Sequence, residues 1–191
     1  MNLPLKRVLI LHGWGANSKS NWFPWLKKTL EERYVVYCPD LPNSFTPKLS
    51  EWLEAAKIAR PFDETLSIVG HSLGSVLLLR LLEELGEKEK IDKAIIVSGF
   101  ARDIGIPLIK GFVARPFKWE KIRKKARRFF VLHSDNDPVV PLELGKEVAQ
   151  KLNAEMIIEK NGGHLNLGID ENGRQSFSYY RLARIISGED G

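Results

Sequence analysis

Strand and helix patterns alternate along the whole chain. Short runs with strand character lie at 7–11 (RVLIL), 34–38 (YVVYC), 65–69 (TLSIV), 91–98 (IDKAIIVS), 128–134 (RFFVLHS) and 155–160 (EMIIEK). Helical patterns lie between and after them, near 22–32, 48–60, 73–85, 119–126, 142–152 and 176–187. Apolar strands joined by helices need cover on both faces, which predicts a parallel sheet inside a three-layer α/β arrangement. With 191 residues, 43% of them hydrophobic, the chain can fill one core. No repeat or linker divides it, so a single domain is expected over 1–191.

In doubly wound sheets the functional loops leave the C-terminal ends of strands near the point where strand order reverses. Four loops therefore matter. After the third strand comes GHSLG, residues 70–74, placed between a buried strand and a buried helix. A G-x-S-x-G sequence in that setting describes a strained turn that projects Ser72 above the sheet as a nucleophile. The competing reading makes Ser72 an ordinary helix cap, with the glycines as turn residues.

After the first strand comes LHGWGANS, residues 11–18. Its glycines permit close backbone approach, and in a sheet with a reversal this loop lies beside Ser72. The main-chain N–H groups of Trp14 and of Leu73 are the expected oxyanion donors. After the fifth strand, HSDNDPVVP offers two acids. Asp137 is favoured because Pro138 fixes it in an extended conformation, while Asp135 is the competitor and would hold the turn. After the sixth strand, NGGHLN carries His164, the only one of the four histidines that follows the acid on a glycine loop. His12, Gly13 and His71 flank the two glycine motifs and are assigned to substrate binding.

The formal charge of +5 is local. KIRKKARR (121–128) holds six basic residues, and without them the chain is close to neutral. Trp119, Ile122 and Ala126 fall at helical spacing, so this stretch is expected to be a helix with a solvated basic face, and no nucleic-acid partner is inferred. No apolar run approaches the roughly 20 residues that span a bilayer, and Val8 to Leu11 are too few for a signal-peptide core. Cys38 is the only cysteine, which excludes an intramolecular disulfide. A cytoplasmic protein without membrane association is expected.

The successive segments LHGWG, PDLPNS, VGHSLGS, WEKI, LHSDNDPVVP and GGHLN resemble those of the α/β-hydrolases, and more narrowly the small serine hydrolases related to retinoblastoma-binding protein 9. The resemblance covers nearly the whole chain. It implies a reduced α/β-hydrolase fold of six parallel strands ordered 2-1-3-4-5-6, with Ser72, Asp137 and His164 as a catalytic triad in the family's chain order. It further implies cleavage of small carboxylic esters through an acyl-enzyme, with no cofactor and no metal. Small amides or aminoacyl esters are the alternative substrates, and a non-catalytic interaction protein on the same scaffold is the rival class. The L-x-C-x-E motif linked to pocket-protein binding in the mammalian relative is absent, because VYCPD lacks its Leu and Glu. A small-molecule ester is the expected partner of a monomer or weak homodimer. Residues 99–118 are expected to form a small lid, with Phe100, Ile104, Ile106, Leu108, Ile109, Phe112 and Val113 as candidate walls of an acyl pocket. Ordinary packing of a short helix is the alternative there.

Overall fold

The structure is a computed structural model, described for residues 5–189. Six strands form the main sheet: β1 (Arg7–Leu11), β2 (Val35–Tyr37), β3 (Leu66–His71), β4 (Ile91–Val97), β5 (Ala126–Ser134) and β6 (Glu155–Glu159). Their order is β2-β1-β3-β4-β5-β6, and every adjacent pair is parallel. The reversal falls between β1 and β3, where Leu11 pairs with Gly70. The loops leaving β1 and β3 therefore start side by side. A short antiparallel hairpin, β7 (Gly168–Ile169) with β8 (Gln175–Ser176), follows β6.

Alternate residues of each strand enter opposite cores, as the pleat requires. On one face Leu9, Leu11 and Ile68 pack with α2 (Leu49–Ala56), α3 (Leu73–Glu84), α4 (Lys110–Val113), α5 (Trp119–Arg123) and α6 (Leu142–Leu152). On the other face Val8, Ile10 and Val69 pack with α1 (Phe23–Leu30) and α7 (Tyr180–Ser187). The helix that follows Ser72 is buried nearly all round, from Leu73 to Glu83.

That burial includes an arginine. Arg80 pairs with Glu83 at 2.8 Å, and its Nε–H donates to the carbonyl of Phe112 at 2.9 Å. A second guanidinium N–H donates to the carbonyl of Arg115, and the guanidinium lies 3.6 Å over the Phe117 ring. A buried charge is tolerable only when so fully engaged. Glu83 also accepts the Lys118 N–H. Together these contacts fasten the second half of the 99–118 segment to α3.

The basic stretch does not form the expected helix. α5 ends at Arg123, and Ala126 already pairs with Ile91 as the first residue of β5. The helical spacing of Trp119, Ile122 and Ala126 was overridden by strand pairing, which buries Ala126 against the sheet edge of the core. Lys125 is buried, and its ammonium donates to the carbonyls of Gly86, Glu87 and Glu89. Arg127 and Arg128 reach Glu64 and Glu155 across neighbouring segments. Arg123, Arg127 and Arg128 line one hollow with Glu155, while Lys125 is turned inward. At the C-terminus α7 begins at Tyr180 rather than near 176, because Gln175 and Ser176 belong to the hairpin. Among the described residues no helix is long and apolar enough to cross a membrane.

Candidate active site

Ser72 has φ 54° and ψ −121°, in a region that non-glycine residues rarely enter. Its hydroxyl does not cap α3, so the helix-cap reading fails. The turn is held by the Ser72 N–H donating to Val97 O at 2.8 Å and by Ser75 Oγ–H donating to Gly70 O at 2.6 Å. Such closeness explains the glycines. A Cβ on Gly70 would lie 2.4 Å from the Gly74 oxygen, and one on Gly74 would lie 2.1 Å from the Leu11 oxygen.

Ser72 Oγ lies 2.9 Å from His164 Nε2, and His164 Nδ1 lies 2.9 Å and 3.0 Å from the two carboxylate oxygens of Asp137. An ionised carboxylate only accepts, so Nδ1 carries the proton and Nε2 is left to accept from the serine hydroxyl. Asp137 Oδ1 also accepts the N–H groups of Val139 and Val140, each at 2.9 Å. Burial works against the Asp137 charge. The His164 hydrogen bond and these two N–H groups outweigh it, holding the carboxyl below its ordinary value. Asp135 does not hold its own turn, the role expected of it; its Oδ1 instead accepts the Asn161 N–H at 2.7 Å and steadies the loop that carries His164.

The β1 loop completes the arrangement. A Cβ on Gly13 would come within 3.0 Å of Ser72 Cβ, so the loop lies directly against the serine. His12 does not reach the cleft. It is wholly buried, its Nε2 accepting the Leu41 N–H at 2.8 Å and its Nδ1–H donating to Gly13 O at 2.9 Å. Because a trans peptide sets C=O and N–H in opposite directions, fixing the Gly13 carbonyl also fixes the Trp14 N–H, pointing away from His12. Among the described residues neither the Trp14 nor the Leu73 N–H has a hydrogen-bond partner.

The family model for serine hydrolases matches residues 8–178. The chain belongs to the serine hydrolase family. It is 34% identical over 162 residues to YdeN of Bacillus subtilis (strain 168), covering 83% of this chain and 85% of that one. The crystal structure of the ydeN gene product superposes with a TM-score of 0.87 over 96% of this chain and 97% of that one. The serine hydrolase RBBP9 of Rattus norvegicus is 27% identical over 191 residues, 97% of this chain and 96% of that one. Est1E from Butyrivibrio proteoclasticus shares the fold, with a TM-score of 0.71 at 15% identity over 96% of this chain and 87% of that one.

In this serine hydrolase Ser72 lies in a cleft of about 430 Å³. Gly13, Trp14, His71, Leu73 and His164 line it, as do Ile104, Ile106 and Ile109 of the 99–118 segment. The other candidates in that segment lie elsewhere. Phe100 and Phe112 are buried in the core, Val113 packs against it, and Leu108 is exposed. The segment is therefore both a cleft wall and a packed element. A larger hollow of about 610 Å³ lies beside Ile157, Asp170 and Arg181, and neither Ser72 nor His164 lines it.

Two further histidines support this arrangement. His71 is buried and donates its Nε2–H to the main-chain oxygen of His164 at 2.9 Å. Burial, helped by the nearby His164, pushes it down to about 3, so it is neutral. His133 is likewise lowered by burial, and its Nε2–H donates to Val140 O at 2.9 Å, behind Asp137. The cleft also contains Ser20, Asn21 and Asn166, which sequence reasoning missed. Polar loop residues carry no periodicity, and nothing in their spacing singles them out.

Proposed function

We propose that the protein hydrolyses small carboxylic esters through an acyl-enzyme formed on Ser72. His164 Nε2 accepts the hydroxyl proton as Ser72 Oγ bonds to the carbonyl carbon, and the carbonyl oxygen becomes an oxyanion. The N–H groups of Trp14 and Leu73 receive that charge, each contributing about 3 kcal/mol in the transition state. Asp137 holds the imidazole in the tautomer required and stabilises the imidazolium. The carbon–oxygen bond to the leaving group then breaks, His164 returns the proton to the departing alcohol, and water repeats the cycle on the acyl group. Every proton and bond balances without a cofactor.

One observation carries this reading: an unbroken hydrogen-bonded chain from Asp137 through His164 to Ser72, with Oγ held at a strained turn. Family membership and the unpaired N–H groups beside Ser72 support it. A cytoplasmic setting belongs to the same reading, supported by the single cysteine. A fluorophosphonate probe tests the mechanism. It should label Ser72 stoichiometrically and abolish turnover of p-nitrophenyl butyrate. Labelling elsewhere, or turnover that survives labelling, overturns the proposal.

A further inference from the structure

The walls of the cleft differ in character. Ile104, Ile106 and Ile109 form one wall, from the segment that follows β4. The same cleft is lined by Asn21 and Asn166, whose side-chain amides make no hydrogen bond among the described residues. Each amide offers two donors and an acceptor. Asn21 is held at φ 56°, a backbone state that fixes where its side chain begins.

Both asparagines are tied to the loop that carries His164. Asn166 is two residues beyond His164 on the same loop, and Asn21 directly precedes Trp22. The Trp22 indole N–H donates to Leu165 O at 2.9 Å, which fastens the Asn21 turn to the His164 loop. Among the described residues no Lys, Arg, Asp or Glu lines the cleft, and the Asp137 side chain is fully covered by its neighbours.

We propose that the substrate is an uncharged ester whose short apolar acyl group lies on the isoleucine wall and whose alcohol carries hydroxyl or amide groups that meet Asn21 and Asn166. This rests on the acyl-enzyme reading above. His164 Nε2–H must hand its proton to the leaving oxygen, so that oxygen and its substituents lie on the His164 side. The Ser72 Oγ–carbon bond forms, the carbon–alkoxy bond breaks, and the alcohol departs neutral with the proton that came from Ser72. A cleft without carboxylate at its surface gives a free ammonium on the acyl group no partner, which argues against aminoacyl esters. Polar groups built to meet a hydroxyl discriminate strongly against an analogue lacking it.

The test compares 2,3-dihydroxypropyl butyrate, propyl butyrate and butyrylcholine, each kcat/KM being divided by the ester's own hydroxide-catalysed rate. p-Nitrophenyl butyrate serves as the control for the acyl-enzyme itself. The dihydroxypropyl ester should exceed the propyl ester by roughly tenfold or more, and butyrylcholine should fall below both. Asn21→Gly, which suits the positive φ, and Asn166→Leu should each bring the first ratio toward one. If p-nitrophenyl butyrate is turned over through Ser72 but the ratio is near one, the assignment of the polar wall is overturned alone. It is likewise overturned if the choline ester is preferred, or if both variants keep the ratio. If p-nitrophenyl butyrate is not turned over, the acyl-enzyme reading falls and takes this inference with it.

Discussion

His71 donates its Nε2–H to the main-chain oxygen of His164 at 2.9 Å, so the residue before Ser72 holds the loop whose His164 Nε2 meets Ser72 Oγ. The two rings lie 5.1 Å apart between centroids. A charged His71 would repel a protonated His164, but burial keeps His71 neutral. His71→Leu removes the tie and should lower kcat by about 10²-fold, the scale of a 1 Å misplacement, with a smaller change in KM. His71→Gln can still present an N–H and should recover much of the loss. Equal losses in the two variants would assign His71 to packing alone.

Acid should destabilise the fold through the same residue. His12, His71 and His133 are all lowered from 6.5 by burial, His71 to about 3. Below pH 6.5 the unfolded chain takes up protons that the folded chain refuses. Their contribution to stability is therefore fully present above that value and is lost progressively as pH falls toward 3. The melting temperature should drop between pH 7.5 and pH 5, and the drop should be smaller in His71→Gln. An equal drop in that variant would show that His71 does not titrate between the two states.

Strain at Ser72 makes a separate prediction. Its φ of 54° costs energy for any residue with a Cβ and little for glycine. Ser72→Ala and Ser72→Gly should both lose turnover and probe labelling. By thermal unfolding, Ser72→Gly should melt above Ser72→Ala. The reverse order would mean that the turn stores no strain.

The two acids of the β5 loop should separate cleanly. Asp137→Asn leaves His164 without its carboxylate and should cost about 10⁴-fold in kcat. Asp135→Asn weakens one hydrogen bond, to the Asn161 N–H, and should cost far less in kcat and about 1 kcal/mol in stability. Steady-state kinetics and denaturant unfolding of both variants decide the assignment. Larger kinetic damage from Asp135→Asn would transfer the role to it.

These residues also show which features a sequence can display. The six strands stand where apolar runs placed them: burial on both faces writes itself into the composition of the inner strands, while the edge strands β2 and β6 are only partly buried. Ser72, Asp137 and His164 were legible because each occupies a strand-end loop, and sheet topology then brings those loops together. The fate of 121–128 was not legible. Whether Ala126 continues a helix or starts a strand depends on Ile91, far away in sequence, and the burial of Lys125 depends on three carbonyls between 86 and 89. His12 looked like a cleft residue because it precedes Gly13, yet its ring turns inward to Leu41. Arg80 stood among the leucines of α3, and only the structure shows that it binds the 99–118 segment.

That attachment should set the limit on acyl length. Arg80 and Glu83 hold Phe112, Arg115 and Lys118, so the part of the segment beyond Ile109 is fastened to α3. Ile104, Ile106 and Ile109 then form a wall that cannot swing far from Ser72, closing a cleft of about 430 Å³. A long chain would need that wall to move, at the expense of the hydrogen bonds from Arg80 to Phe112 O and Arg115 O and from the Lys118 N–H to Glu83, each to a charged partner and worth about 1.5–3 kcal/mol. Across p-nitrophenyl esters, kcat/KM should therefore peak between acetate and hexanoate. Ile106→Trp narrows the same wall and should reduce turnover of hexanoate several-fold more than that of acetate. A peak at twelve carbons or beyond would show that the wall opens. Equal losses on hexanoate and acetate in Ile106→Trp would place the acyl chain elsewhere in the cleft.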